Sequence, residues 1–246
     1  MKKSILILSV IGLALFMTSC LEEGSSNYAD TTFVYLDSDD SGTMFGKTIS
    51  LYSPSRIITS NSMIIMQPDD IKILAYSWNE ENGTSNIRVD GEVYTADNVV
   101  ISDDVDVDQT ILRMSELPEV EEPVSFIEMM RPLYANSKEF MGDKWIFQYG
   151  YAAESGKKPH VEFFKRAEEN EQGEIAIDIN LTSVDSSDSS QTGNRAGYVV
   201  VDMTPLRMFA EGETPAGENI KIRFYYYVDG DLIPSTNAYE LTIGEN

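Results

Sequence analysis

The sequence predicts an all-β protein in two small domains. Three observations carry this: polar and apolar residues alternate at period two in several stretches, turn-forming pairs punctuate short strands, and only one helical candidate follows the leader. From Ile175 to Leu181, the residues Ile175, Ile177, Ile179 and Leu181 fall on one face and Ala176, Asp178 and Asn180 on the other, as in a half-buried antiparallel strand. From Ile220 to Val228 the set Ile220, Ile222, Phe224, Tyr226 and Val228 opposes Lys221, Arg223, Tyr225 and Tyr227, and Asp229-Gly230 then turns the chain.

Taken in order, the chain opens with Lys2 and Lys3 and an apolar run from Ile5 to Phe16. That run is shorter than the roughly 20 residues a bilayer-spanning helix needs, so residues 1–19 read as a signal peptide and not a membrane helix. Phe16-Met17-Thr18-Ser19-Cys20 resembles a lipobox, in which a diacylglyceryl group is attached to the thiol of Cys20 before cleavage. The polar residues that follow, within a tether of residues 20–30, are too poor in apolar side chains to fold. Their pair Glu22-Glu23 is similar to the acidic signal that sends lipoproteins of one group of Gram-negative anaerobes to the outer face of the outer membrane.

Further strands are expected at Thr31 to Leu36, Ile71 to Trp78, Ile87 to Val89, Trp145 to Tyr151, Val161 to Phe164, Tyr198 to Met203 and Tyr239 to Ile243. Asn82-Gly83 and Asp90-Gly91 supply residues that tolerate positive φ and are expected to form hairpin turns. The acidic run Asp103 to Asp108 and the proline-bearing run Glu116 to Pro123 suggest a boundary near residue 118, giving domains 31–117 and 118–246. Val124 to Leu133 is the helical candidate, limited by Pro132. The polar stretch Asp185 to Gly193 reads as a loop joining strands across a sandwich end.

Composition bounds function. With 18 Lys and Arg against 41 Asp and Glu, the formal charge is −23, which excludes nucleic acid as a natural partner and repels anionic membrane surfaces. The lipid on Cys20 must therefore do the anchoring. That residue is the only cysteine, so no disulfide framework exists and stability must come from packing.

The lipobox, the acidic tether and the short strands of the first half precede Lys144-Trp145-Ile146-Phe147-Gln148-Tyr149 and Lys158-Pro159-His160-Val161-Glu162-Phe163. With Ile175 to Leu181 and Tyr198-Val199-Val200-Val201-Asp202-Met203, this arrangement resembles the NigD-like lipoprotein family. The resemblance implies a small OB-like β-barrel domain followed by an antiparallel β-sandwich domain, at the outer membrane. The family has no established biochemical activity, so fold and address are all that it implies.

Chemistry is sparse. There is no G-x-S-x-G elbow and no H-E-x-x-H, and His160 is the single histidine, expected as an ordinary strand-end residue. Asp37-Ser38-Asp39-Asp40-Ser41-Gly42 copies the first half of a calcium loop, with Asp37, Asp39 and Ser41 as alternate oxygen ligands, but Thr48 replaces the glutamate at the twelfth position. A polar hairpin turn is the favoured reading and weak Ca2+ binding the alternative; no other cofactor is expected. Trp78, Tyr225 and Tyr227 are the candidates for stacking on sugar rings. Asp30-Thr31-Thr32 resembles an acceptor for protein O-glycosylation. The sequence thus predicts a non-enzymatic interaction or structural role in the envelope, through a protein partner or, alternatively, through glycan binding.

Overall fold

A computed structural model describes residues 27–49, 56–119, 124–136, 138, 140–187 and 192–244. Two compact units divide between Val105 and Asp106. The division falls within the acidic run and earlier than residue 118, because residues 108–111 hydrogen-bond into the second unit's sheet. Among the described residues no helix is long and apolar enough to cross a membrane.

The first unit holds β1 (Tyr28–Ser38), β2 (Met44–Ile49), β3 (Ile57–Thr59), β4 (Ile71–Trp78), β5 (Thr84–Val89), β6 (Glu92–Asn98) and β7 (Val100–Asp106). They form one sheet in the order β5-β6-β3-β2-β1-β4-β7, with β3 parallel to β6. The all-β fold agrees with the expected OB-like domain, and the sheet is not closed: β5 and β7 stand at its two ends, and β7 carries the exposed charges Asp103, Asp104 and Asp106 that discourage further pairing. Asp90 and Gly91 have φ of 52° and 82° and join Val89 to Glu92 in the two-residue hairpin that the sequence predicts. Asn82-Gly83 does not make a hairpin. Asn82 ends a short 3-10 turn capped by the Asn79 side chain, and β4 pairs with β1 and β7 instead of β5.

A second 3-10 turn, Asn61–Ile65, connects β3 to β4 and drops Met63 into a core of Val34, Leu36, Ile58, Leu74, Tyr76 and Val99. Gly46 lets β2 lie close over this core, since a Cβ there would stand 2.4 Å from Val34 Cγ1.

The second unit holds β8 (Asp108–Ile111), β9 (Glu128–Met129), β10 (Lys144–Ala153), β11 (Lys157–Lys165), β12 (Ile175–Asp185), β13 (Gly193–Asp202), α1 (Thr204–Glu211), β14 (Asn219–Val228), β15 (Asp231–Pro234) and β16 (Tyr239–Thr242). One sheet runs β8-β13-β10-β9 and the other β11-β12-β14-β15, with β16 also paired to β14. The sandwich is mixed and not purely antiparallel: β8 lies parallel to β13, and β12 parallel to β14. The inward faces of β10, β11, β12, β13 and β14 share one core that includes Trp145, Phe147, Phe163, Ile177, Val201 and Phe224. The loop after Asp185 joins the two sheets, as its composition predicts, although residues 188–191 lie outside the described set.

The helix expected over Val124 to Leu133 is extended chain. Phe126 N donates to the carbonyl of Tyr227 in one sheet, and Ile127 N and Met130 N donate to Gly150 and Gln148 in the other. Tertiary hydrogen bonds to both sheets, with Phe126 buried, outweigh a weak helical preference. The helix that does form, α1, begins with Pro205 at its start and buries Leu206, Arg207 and Ala210. Arg207 Nε donates to both oxygens of Asp143 at 2.7 and 2.9 Å, fixing the helix to the start of β10.

Two glycine substitutions separate space from conformation. Gly46→Ala should cost about 1–3 kcal/mol in urea denaturation through overpacking against Val34. Gly230→Ala meets open space, so it should cost only the ~1 kcal/mol of forcing a side chain to φ 87°.

Candidate functional site

The strongest concentration of ordered polar side chains is the outward face of β11, β12 and β14. Alternation turns Ile175, Ile177, Ile179 and Leu181 into the shared core and places Asp178 on the opposite face, between Phe164 of β11 and Tyr225 of β14. That face is covered too: Ala176, Asp178, Asn180 and Phe164 are all buried, so this stretch of β12 is buried on both faces and not half-buried as its alternation predicts. Tyr225 in turn faces Pro234 of β15. Arg166 lies just past β11 and closes on Asp178 with Nε 2.9 Å from Oδ2 and one terminal nitrogen 2.6 Å from Oδ1. The same guanidinium lies 4.0 Å from the centre of the Tyr225 ring.

A second fork stands one step along. Arg223 reaches both oxygens of Glu174 at 2.9 Å and donates to the Ser235 carbonyl at 2.8 Å. Asn170 links the two forks, its Nδ2 donating to Glu174 Oε2 at 2.7 Å and to the Tyr225 hydroxyl at 3.3 Å. Farther across, Arg113 pairs with Glu162 at 2.5 Å and lies over the Phe164 ring.

The electrostatics follow from these pairs. The Arg223 guanidinium, helped by Asn170, holds the Glu174 carboxyl below the usual carboxylate range despite burial. Arg166 and Arg223 are each raised by the carboxylate they bind. A general acid needs the opposite arrangement, a carboxyl raised toward neutral pH. Burial does raise one carboxyl, that of Asp143, but it is sealed beneath α1 by Arg207 at 8% exposure. The Asp178 and Glu174 pairs therefore form a rigid, charge-balanced polar layer in which planar guanidinium, phenol and carboxylate groups are already held in place.

Beside it, Met129, Arg131, Phe147, Phe224, Tyr226 and Tyr239 line a cleft of about 120 Å³. That is well under the ~300 Å³ lower bound of typical small-molecule sites.

The residues singled out in the sequence are dispersed. Tyr225 and Tyr227 share the outward face of β14, with Tyr225 under Arg166. Trp78 belongs to the first unit, where its Nε1 donates to the Gly83 carbonyl at 2.8 Å and its ring stacks on Tyr28 at 5.7 Å. Tyr28 also donates to Asp97 at 2.7 Å and carries Arg56 over its ring at 4.2 Å. His160 is half exposed in β11, 3.7 Å from Glu162. Thr32 of the glycosylation-like tripeptide spends its hydroxyl on the Ile49 carbonyl. Cys20 and the acidic pair after it lie outside the described residues.

Asp37, Asp39 and Ser41 turn their oxygens to local tasks. Asp37 pairs with Lys47 at 3.2 Å, and Asp39 Oδ1 accepts from Ser41 N, Ser41 Oγ and Thr43 N. Asp40 accepts from the backbone of the Asp90-Gly91 turn. These bonds hold a polar turn after β1, and the Ser41 hydroxyl draws the Asp39 carboxyl below its ordinary value. Among the described residues no three His, Cys, Asp or Glu side chains converge in a metal-binding group.

Sequence reasoning did not single out Arg166, Asn170, Glu174 or Arg223. The available signal was charge opposition: Asp178 and Arg223 both occupy outward positions of strongly alternating strands.

No family model and no curated protein matches the sequence. Similarity appears at the level of the fold. An uncharacterized protein from Parabacteroides merdae superposes with a TM-score of 0.58 at 10% identity, covering 88% of this chain and 100% of its own. A candidate lipoprotein from Bacteroides fragilis gives 0.52 at 9% identity, covering 89% and 98%. A NigD-like immunity protein from Bacteroides caccae gives 0.50 at 15% identity, covering 87% and 97%. The chain thus shares a two-unit β fold with these proteins, and the resemblance drawn from the sequence holds for the architecture.

The paired face yields a pH prediction. Glu174 titrates lower folded than unfolded, so its contribution is fully present above the ordinary value of 4.5 and is lost as pH falls through the folded value. Glu174→Gln should cost about 2 kcal/mol at pH 7, because Arg223 loses its partner while only 19% exposed. The stability gap to the wild type, measured by urea denaturation, should shrink as pH drops below 4.5.

Proposed function

We propose that the chain is a lipid-anchored outer-membrane protein whose β units serve a non-enzymatic interaction role in the cell envelope. The observation that carries the reading is the leader: two lysines, an apolar run too short to span a bilayer, and a lipobox ending at Cys20. The fold shared with a candidate lipoprotein and a NigD-like immunity protein supports it. Surface chemistry supports interaction over catalysis, because Asp178 and Glu174 are each taken by an arginine and held as rigid, charge-balanced groups. Glycan binding through aromatics would need free ring faces, and Trp78 and Tyr225 each spend one, on Tyr28 and on Arg166.

Metabolic labelling with a palmitate analogue tests the anchor. Label should enter the wild-type chain and be absent from Cys20→Ser, which should move from the membrane to the soluble fraction; equal labelling of both would sink the reading. Protease shaving of intact cells then assigns the leaflet. Loss of the chain places it on the outer leaflet, and protection until lysis faces it inward and discards the Glu22-Glu23 export signal.

A further inference from the structure

The 3-10 turn Asn61–Ile65 exposes more apolar surface per residue than any other described segment: Ile64 is 81% and Ile65 87% exposed. Both side chains stand on a rigid base. Met63, fully buried, anchors the turn in the core of the first unit, the Ser60 hydroxyl caps it, and Met66 N closes it onto the Met63 carbonyl. Presenting two adjacent isoleucines to water on a fixed turn has no packing purpose, and so marks a contact.

The surroundings point to the occupant. From Ile57 to Pro68 the chain carries no charge, although 24% of all residues are charged. The flanking acids are turned to other work: Asp69 accepts the Tyr35 hydroxyl and Asp70 caps the backbone of Ile71. The exposed Ile64 and Ile65 are neighboured in the chain by the neutral polar residues Ser60, Asn61, Ser62 and Gln67. That profile suits a lipid interface, where buried charge is costly and neutral polar groups meet headgroups.

Geometry brings the bilayer within range. Seven residues lead from Cys20 to Asn27, spanning at most about 25 Å even when fully extended. A unit of roughly 80 residues has a radius of gyration near ~12 Å and so a diameter of about 31 Å, little more than that reach, so most of its surface can meet a membrane tethered that closely.

We propose that Ile64 and Ile65 insert into the interfacial layer of the bilayer as a second contact beside the Cys20 lipid, orienting the first unit on the membrane. The proposal rests on the lipid-anchor reading, and its test separates the two. Lipid blocks the only natural cysteine, so Ser62→Cys gives the full lipidated chain one free thiol for an environment-sensitive nitrobenzoxadiazole label.

Reconstituted in phosphatidylcholine vesicles, that label should be quenched by nitroxide-bearing lipids at least about threefold more than the same label at Val93→Cys, an exposed position of the same unit. Adding Ile64→Asp and Ile65→Asp should abolish the excess. Equal quenching at positions 62 and 93 overturns the proposal. So does a blue-shifted label that lipid nitroxides do not quench, since in this pure preparation a second copy of the chain would then be covering the tip. Two labels per chain with no flotation on vesicles would show Cys20 unmodified; the anchor falls, and the tip contact that requires it falls too.

Discussion

The second unit depends on the ring cluster around Trp145. This side chain is fully buried on β10, stacks on Tyr134 at 4.0 Å and meets Phe224 and Tyr239 edge-on at 5.8 and 6.1 Å. Phe147, two residues on, meets Phe163 and Phe224 at 5.1 and 5.0 Å. Two sheets and the extended 124–136 segment are thereby joined through one set of rings. Trp145 Nε1 finds no acceptor among the described residues, which costs about 1–3 kcal/mol. Burying ~200 Å² of ring at about 25 cal/mol per Å² contributes roughly 5 kcal/mol, so packing wins. A chain with one cysteine has no disulfide to substitute for that cluster.

Excess acid shapes the rest. With 41 acidic residues and 18 basic ones, each arginine is a scarce counter-ion, and the second unit places several where carboxylates are buried or aligned. Arg207 pins α1 to Asp143, Arg166 locks Asp178, and Arg223 holds Glu174 while gathering the carbonyls of Ser235 and Thr236. The buried Asp143 pair opposes the Glu174 pair in sign: burial raises the Asp143 carboxyl more than Arg207 lowers it, whereas Arg223 dominates at Glu174. Acidification therefore weakens the Glu174 pair, whereas the hidden Asp143 pair serves position.

The two units differ in what they display. The first carries the uncharged Ile64-Ile65 turn, and the second holds the ordered arginine–tyrosine pairs. On the proposed reading, Cys20 and that turn would serve attachment.

Local signals in the sequence determined a good deal. Period-two alternation located β12 and β14, and the paired turns Asp90-Gly91 and Asp229-Gly230 set two hairpin registers, because both depend on neighbours in the chain. The charge and the single cysteine, which rules out a disulfide within the chain, are likewise sequence properties. Only the tertiary structure decided that Val124 to Leu133 is extended between two sheets, that β12 and β14 run parallel, that the first sheet stays open, and that Arg166 and Arg223 close on Asp178 and Glu174. The reason is distance along the chain. Phe126 bonds to Tyr227 and Arg223 to Glu174 across separations that no local pattern encodes, and there the energy of burial and pairing overrides the weak preference of each segment alone.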